Sequence, residues 1–185
     1  MAMPATHWTV EMVRALPDDG KHYEVIDGEL FVTPAPSLPH QRAVRELLFR
    51  LADYLRALPG LEALFGPADI TAGDRTLVQP DVFVMPRGPG PMPGGWVEVG
   101  TLVLAIEVLS PSTARADRHK KRRLYQRQRV PEYWIVDMDA HLVERWRPND
   151  ERPEILAEQL EWRPDPAHPP LIMDLPAYFR DVTGE

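Results

Sequence analysis

Leu102-Val103-Leu104-Ala105-Ile106-Glu107-Val108-Leu109 is the stretch that decides the fold. Successive strand side chains point to opposite faces, and here both parities are apolar. That pattern predicts a central strand covered on both sides. One charge interrupts it. Glu107 shares its parity with Val103, Ala105 and Leu109. A lone carboxylate buried there would be costly or would stay protonated. A partner is expected, either a cation or a basic residue of the next helix in a structural ion pair.

On the C-terminal side, Ser112 or Thr113 caps a helix over Ala114–Arg129. Glu132–Asp137 and His141–Arg147 read as a hairpin pair, Glu154–Glu161 as a further strand and Asp174–Arg180 as a terminal helix. On the N-terminal side, Leu77–Met85 and Glu62–Thr71 read as two strands. Pro39 to Leu58 is an amphipathic helix, with Val44, Leu47, Leu48, Leu51 and Leu55 at helical spacing. Tyr23–Ile26 and Glu29–Thr33 flank Asp27-Gly28, a strong signal for a two-residue hairpin turn. Trp8–Ala15 is a short helix stopped before Pro17. Prolines cluster in Pro86–Pro93, an irregular loop, and again from Pro148 to Pro176. The order predicts an α/β (α+β) fold, a mixed sheet flanked by helices with an N-terminal β-hairpin. A single domain over 1–185 is expected, with its core at about 20–147 and a loop-rich C-terminal extension at 148–185.

With no cysteine among the 185 residues, zinc–thiolate sites, disulfides and thiol nucleophiles are excluded. No apolar run approaches the roughly 20 residues that span a bilayer. Met1–Val10 lacks a signal-peptide pattern, so a cytoplasmic protein without membrane partners is the expectation. The net charge of −7 is unevenly placed. Residues 115–129 hold eight basic residues and one acid, Asp117, a local +7 that leaves −14 on the remainder. Local patches make phosphate contacts, although taken alone the run reads rather as a solvated basic helix face.

Asp81 heads the apolar run Val82-Phe83-Val84-Met85, directly after Gln79-Pro80. Two acids in consecutive core strands can form the oxygen site that magnesium prefers. Read singly, Asp81 is a turn residue at a strand entrance. Lys121 lies one helical turn after Asp117 and one before Tyr125, so the three share a face with Leu124 nearby. A lysine turned inward there reaches the carboxylates, with Asp117 and Tyr125 setting its position; otherwise it is a surface helix former.

Tyr23-Glu24-Val25-Ile26-Asp27-Gly28-Glu29-Leu30, His40, Val78-Gln79-Pro80-Asp81, Ile106-Glu107-Val108-Leu109-Ser110-Pro111-Ser112-Thr113, Asp117 with Lys121 and Tyr125, and Val130-Pro131-Glu132-Tyr133-Trp134-Ile135-Val136-Asp137 follow in order. Over roughly residues 8–181 this resembles the Uma-two family, whose fold is restriction-endonuclease-like, of the PD-(D/E)xK type. The resemblance implies that Asp81 and Glu107 are the metal carboxylates. It implies too that Lys121 replaces the usual lysine two residues after the glutamate, where this chain has Leu109. Glu24, Glu29 and His40 match further family positions; Glu29 could add a ligand or hold Lys121, and His40 could bond a phosphate or cap its helix. Arg115, Arg118 and Arg122 are expected toward a nucleic-acid backbone. The expected activity is endonucleolytic hydrolysis of DNA with Mg2+ or Mn2+, by a homodimer. Two rivals stand beside it: a nuclease fold that binds nucleic acid without cutting, and a metal-dependent hydrolase of a small phosphate ester in an acidic or neutral cleft.

Overall fold

In the computed structural model, which describes residues 7–88 and 97–184, helix α1 (Val10–Arg14) leads into a hairpin of β1 (His22–Ile26) and β2 (Glu29–Thr33). Asp27 and Gly28 turn it with φ of 52° and 86°, the positive values a type I′ turn needs. Helix α2 (Leu38–Leu55) starts at Ser37, whose hydroxyl accepts from the His40 amide, and buries Ala43, Val44, Leu47, Leu51 and Leu55. Five strands follow: β3 (Leu61–Phe65), β4 (Ile70–Thr71), β5 (Leu77–Val78), β6 (Val82–Pro86) and β7 (Val97–Glu98). After β8 (Leu104–Val108) comes a helical segment of three parts: α3 (Ala114–Ala116), a π turn (Asp117–Lys121) and α4 (Arg122–Arg127). The chain ends with β9 (Glu132–Asp137), β10 (Leu142–Trp146), β11 (Glu154–Leu156), β12 (Gln159–Trp162), β13 (Leu171–Asp174) and α5 (Leu175–Thr183).

The main sheet runs β11-β10-β9-β8-β6-β3 and is mixed, because β8 and β9 pair in parallel while its other pairs are antiparallel. A second sheet runs β2-β1-β5-β4-β7, and β12 pairs with β13 alone. One face of the main sheet presents Val82, Val84, Leu104, Ile106 and Val108 to α2 and α5. The other presents Phe83, Met85 and Ala105 to Leu124 and Tyr125 of α4, and to Ile26, Ile70 and Val78 of the second sheet. Covering on both faces is the reason for apolar residues at both parities of β8. Trp134, Trp146 and Trp162 are all buried, so core packing accounts for them.

Three long strands of the sequence reading are each two. Leu77–Met85 breaks at Gln79-Pro80-Asp81, and its halves join different sheets, β5 beside β1 and β4, β6 between β3 and β8. Pro80 has no N–H to give a ladder, which is where such a run changes partners. Glu62–Thr71 divides into β3 and β4, and Glu154–Glu161 into β11 and β12. The helix at 114–129 carries the unforeseen π turn, and β7 and β13 were also unforeseen. Residues 148–184 supply β11–β13 and α5, and Leu160, Trp162, Met173, Tyr178 and Phe179 enter the principal core. Most of the expected Pro86–Pro93 loop lies outside the described residues. Among the described residues no helix is long and apolar enough to cross a membrane.

Candidate active site

The antiparallel register of β6 on β8 pairs Val82 with Ile106, and one step further sets Asp81 opposite Glu107. By parity both follow Phe83 and Ala105 onto the α4 face. Asp81 Oδ2 accepts the Val108 amide at 2.7 Å and faces His40 Nε2 at 3.1 Å. Glu107 Oε1 accepts from Lys121 Nζ at 2.9 Å and from the Tyr125 hydroxyl at 3.4 Å. Each carboxylate thus has one oxygen engaged, while Asp81 Oδ1 and Glu107 Oε2 have no hydrogen-bond partner among the described residues.

Lys121 is 3% exposed, and three carboxylates surround it: Glu107, Glu24 Oε1 at 3.0 Å and Asp117 Oδ1 at 3.6 Å. The π turn buries Asp117 and Lys121 together, and such turns recur at functional sites. Glu24 Oε1 also accepts the Gln79 amide at 2.6 Å, and so ties β1 to the turn that carries Asp81. Burial pushes the Glu107 carboxyl well above the usual range; Lys121 opposes this, and Asp117, Asp81 and Glu24 add to it. Asp117 is likewise pushed by burial, up to about 6, against the pull of Lys121. Burial works to lower the Lys121 ammonium, but Glu107, Glu24 and Asp117 hold it well above the ordinary lysine range. It is a fixed cation at neutral pH. One ammonium among four neighbouring carboxylates leaves the cluster short of positive charge.

Asp81, Glu107, Glu24, His40 and Lys121 line a cleft of about 650 Å³, together with residues 33–37, Pro39 and residues 110–114. Its lining carries five carboxylates (Glu24, Asp81, Glu107, Asp137, Asp139) against Arg118 and Lys121. No three His, Cys, Asp or Glu side chains among the described residues stand together as ready metal ligands. Two open carboxylate oxygens in an acidic cleft still fit a hard divalent ion that keeps several waters.

The remaining candidates are spread. Glu29 is exposed and pairs with Lys120 at 2.6 Å, away from Lys121. Arg118 lines the cleft but is engaged by Asp137 and Glu144, each at 2.7 Å. Arg122 lies over the Trp146 ring at 4.7 Å, and Arg115 is exposed and outside the cleft lining. Four of the eight basic residues of the run, Arg118, Lys120, Lys121 and Arg127, are thus ion-paired among the described residues. Gln79 was given no role by sequence reasoning. Its amide meets Glu24 and its side chain meets His22 and Asp69. The only signal for it was its place two residues before Asp81.

Fold and cleft together define a nuclease-like protein of the restriction-endonuclease class. The chain belongs to the Uma2 family, described as "Putative restriction endonuclease", whose model matches residues 10–176. It is similar in fold to a crystal structure from Anabaena variabilis described as "a putative nuclease belonging to DUF820". That likeness has a TM-score of 0.77 at 20% identity and covers 95% of this chain and 99% of the other. No curated protein matches the chain.

Proposed function

We propose that this protein hydrolyses phosphodiester bonds in DNA with the help of a divalent cation, Mg2+ or Mn2+. One observation carries the reading: Asp81 and Glu107 stand opposite each other across β6 and β8 and line one cleft, each with one oxygen held and one without a hydrogen-bond partner among the described residues. Those open oxygens would hold the cation, which when bound polarises the phosphate and lowers the pKa of an attacking water. His40 and the Val108 amide fix Asp81; Tyr125 and Lys121 fix Glu107. The Lys121 ammonium, charged at neutral pH, is a poor proton acceptor and serves to stabilise negative charge on the transferring phosphate. Arg118 stands at the cleft wall with its charge offset by Asp137 and Glu144. A pair of chains would present one such site to each strand of a duplex.

The acidic cleft lining favours a second reading, a small phosphate ester as substrate, because the cations of the basic helix are mostly engaged. Plasmid, oligonucleotide and aryl phosphate hydrolysis by wild type and Glu107→Gln, with and without Mg2+ or Mn2+, tests both. Metal-dependent DNA cleavage lost in the variant supports the nuclease. Ester hydrolysis without DNA cleavage supports the second reading. If metal neither raises the melting temperature nor drives any hydrolysis, both are wrong and a binding module remains.

A further inference from the structure

Two-metal phosphoryl-transfer sites place two cations roughly 3.5–4 Å apart, where they clamp the attacking and leaving oxygens. Here one buried position beside Glu107 is already filled by a side chain. Lys121 Nζ sits against Glu107 Oε1 at 2.9 Å, Glu24 Oε1 at 3.0 Å and Asp117 Oδ1 at 3.6 Å. Three carboxylates around one cation supply the negative charge that would draw a divalent ion, although they are not set as ready ligands, and the lysine side chain is only 4% exposed. The other Glu107 oxygen has no hydrogen-bond partner among the described residues, and Glu107 lines the cleft with Asp81.

We infer that the Lys121 ammonium occupies the place of a second metal, with Glu107 bridging it to a single divalent cation, and that Glu24 and Asp117 are the groups that hold it there. The inference rests on the metal-dependent reading above. It assigns distinct duties to the acids of the cluster. Asp81 and Glu107 serve the divalent ion, whereas Glu24 and Asp117 are positioning residues that hold the lysine. Glu24 is doubly committed, since the same oxygen that meets Lys121 accepts the Gln79 amide at 2.6 Å. A bound divalent ion at that oxygen would displace one of these two contacts.

Calorimetric titration of the full chain with Mn2+ counts the ions, without reference to activity. One ion per wild-type chain is expected. Lys121→Met, of similar length but uncharged, empties the cage and should take up a second ion, or bind the first at least about tenfold more tightly because one positive charge is gone. Glu24→Gln should keep the count at one ion per chain, since Glu24 faces the lysine, and should weaken the affinity by no more than Lys121→Met strengthens it, the effect of one charge. Two ions per wild-type chain overturn the inference, even where Lys121→Met fails to fold. So does a count and affinity unchanged in folded Lys121→Met, or loss of the bound ion in folded Glu24→Gln. No ion bound to wild type overturns the metal-dependent reading itself, which separates the two failures.

Discussion

Glu24, on the first strand of the hairpin, holds Lys121 of the π turn at 3.0 Å, with both side chains almost wholly buried. Glu29, on the partner strand, points to the same face, because Ile26 pairs with Glu29 and Glu24 with Phe31. It lies two residues nearer the turn, and there it meets Lys120 at the surface. About 7 Å along a strand therefore separates an acid inside the site from one outside it. Breaking a buried ion cluster by removing one member leaves uncompensated charge, which is costlier than the cluster is stabilising.

Lys121→Ala leaves Glu24, Glu107 and Asp117 without their shared cation. The variant should lose about 3–5 kcal/mol of stability at neutral pH. Saturating Mn2+ or a shift to pH 5 should recover part of that loss. Urea denaturation at the two pH values, with and without metal, reads this; an indifferent midpoint in every condition would show that the cluster is not ionised.

Asp117→Asn should stabilise the protein at alkaline pH. The Asp117 carboxyl is raised by burial from 3.8 to about 6, with Lys121 pulling the other way. The folded chain therefore holds this proton more tightly than the unfolded one. That stabilisation is complete below about pH 3.8 and is lost as the pH rises through about 6. Asparagine, neutral throughout, should gain about 1–3 kcal/mol over aspartate at pH 8 and nothing near pH 4. At roughly 2–4 °C per kcal/mol, thermal melts at the two pH values resolve it. A variant less stable than wild type at pH 8 would refute the assignment.

His40→Ala removes the side-chain donor to Asp81 Oδ2 and leaves the Val108 amide as its only anchor. Groups that orient a ligand in this way typically matter by about 10–100-fold in metal affinity or activity. Mn2+ affinity should fall within that range while the fold is kept. An affinity equal to wild type would return His40 to a helix-end residue without a part in the site.

Gly28→Ala tests the hairpin. Gly28 has φ of 86°, and an added Cβ would lie 2.5 Å from Arg75 Nη2. Strain and displacement of the arginine should cost about 1–2 kcal/mol. Since the same hairpin carries Glu24, cleavage should weaken together with the melting temperature. A variant as stable as wild type would mean that the turn adjusts freely.

What the sequence determined by itself was local. The 2.0 and 3.6 periodicities and the punctuation Asp27-Gly28 and Ser112-Thr113 are short-range chemistry, and they placed the hairpin, α2, β8 and β9 close to their true limits. The doubly apolar β8 also announced a covered strand with one anomalous acid, and Asp81 and Glu107 were legible as partners because both head or interrupt apolar runs. Tertiary structure decided the rest. Where Leu77–Met85 and Glu154–Glu161 divide depends on which strands lie beside them, a long-range pairing that periodicity within the run does not encode. The choice of Glu24 over Glu29 and the pairing of Arg118 with Asp137 and Glu144 depend on how the hairpin and β10 pack on the helix. Charge in the sequence counts residues, whereas charge at a site depends on distance and burial. That is how a +7 helix comes to border a cleft whose charged lining residues are mainly acids.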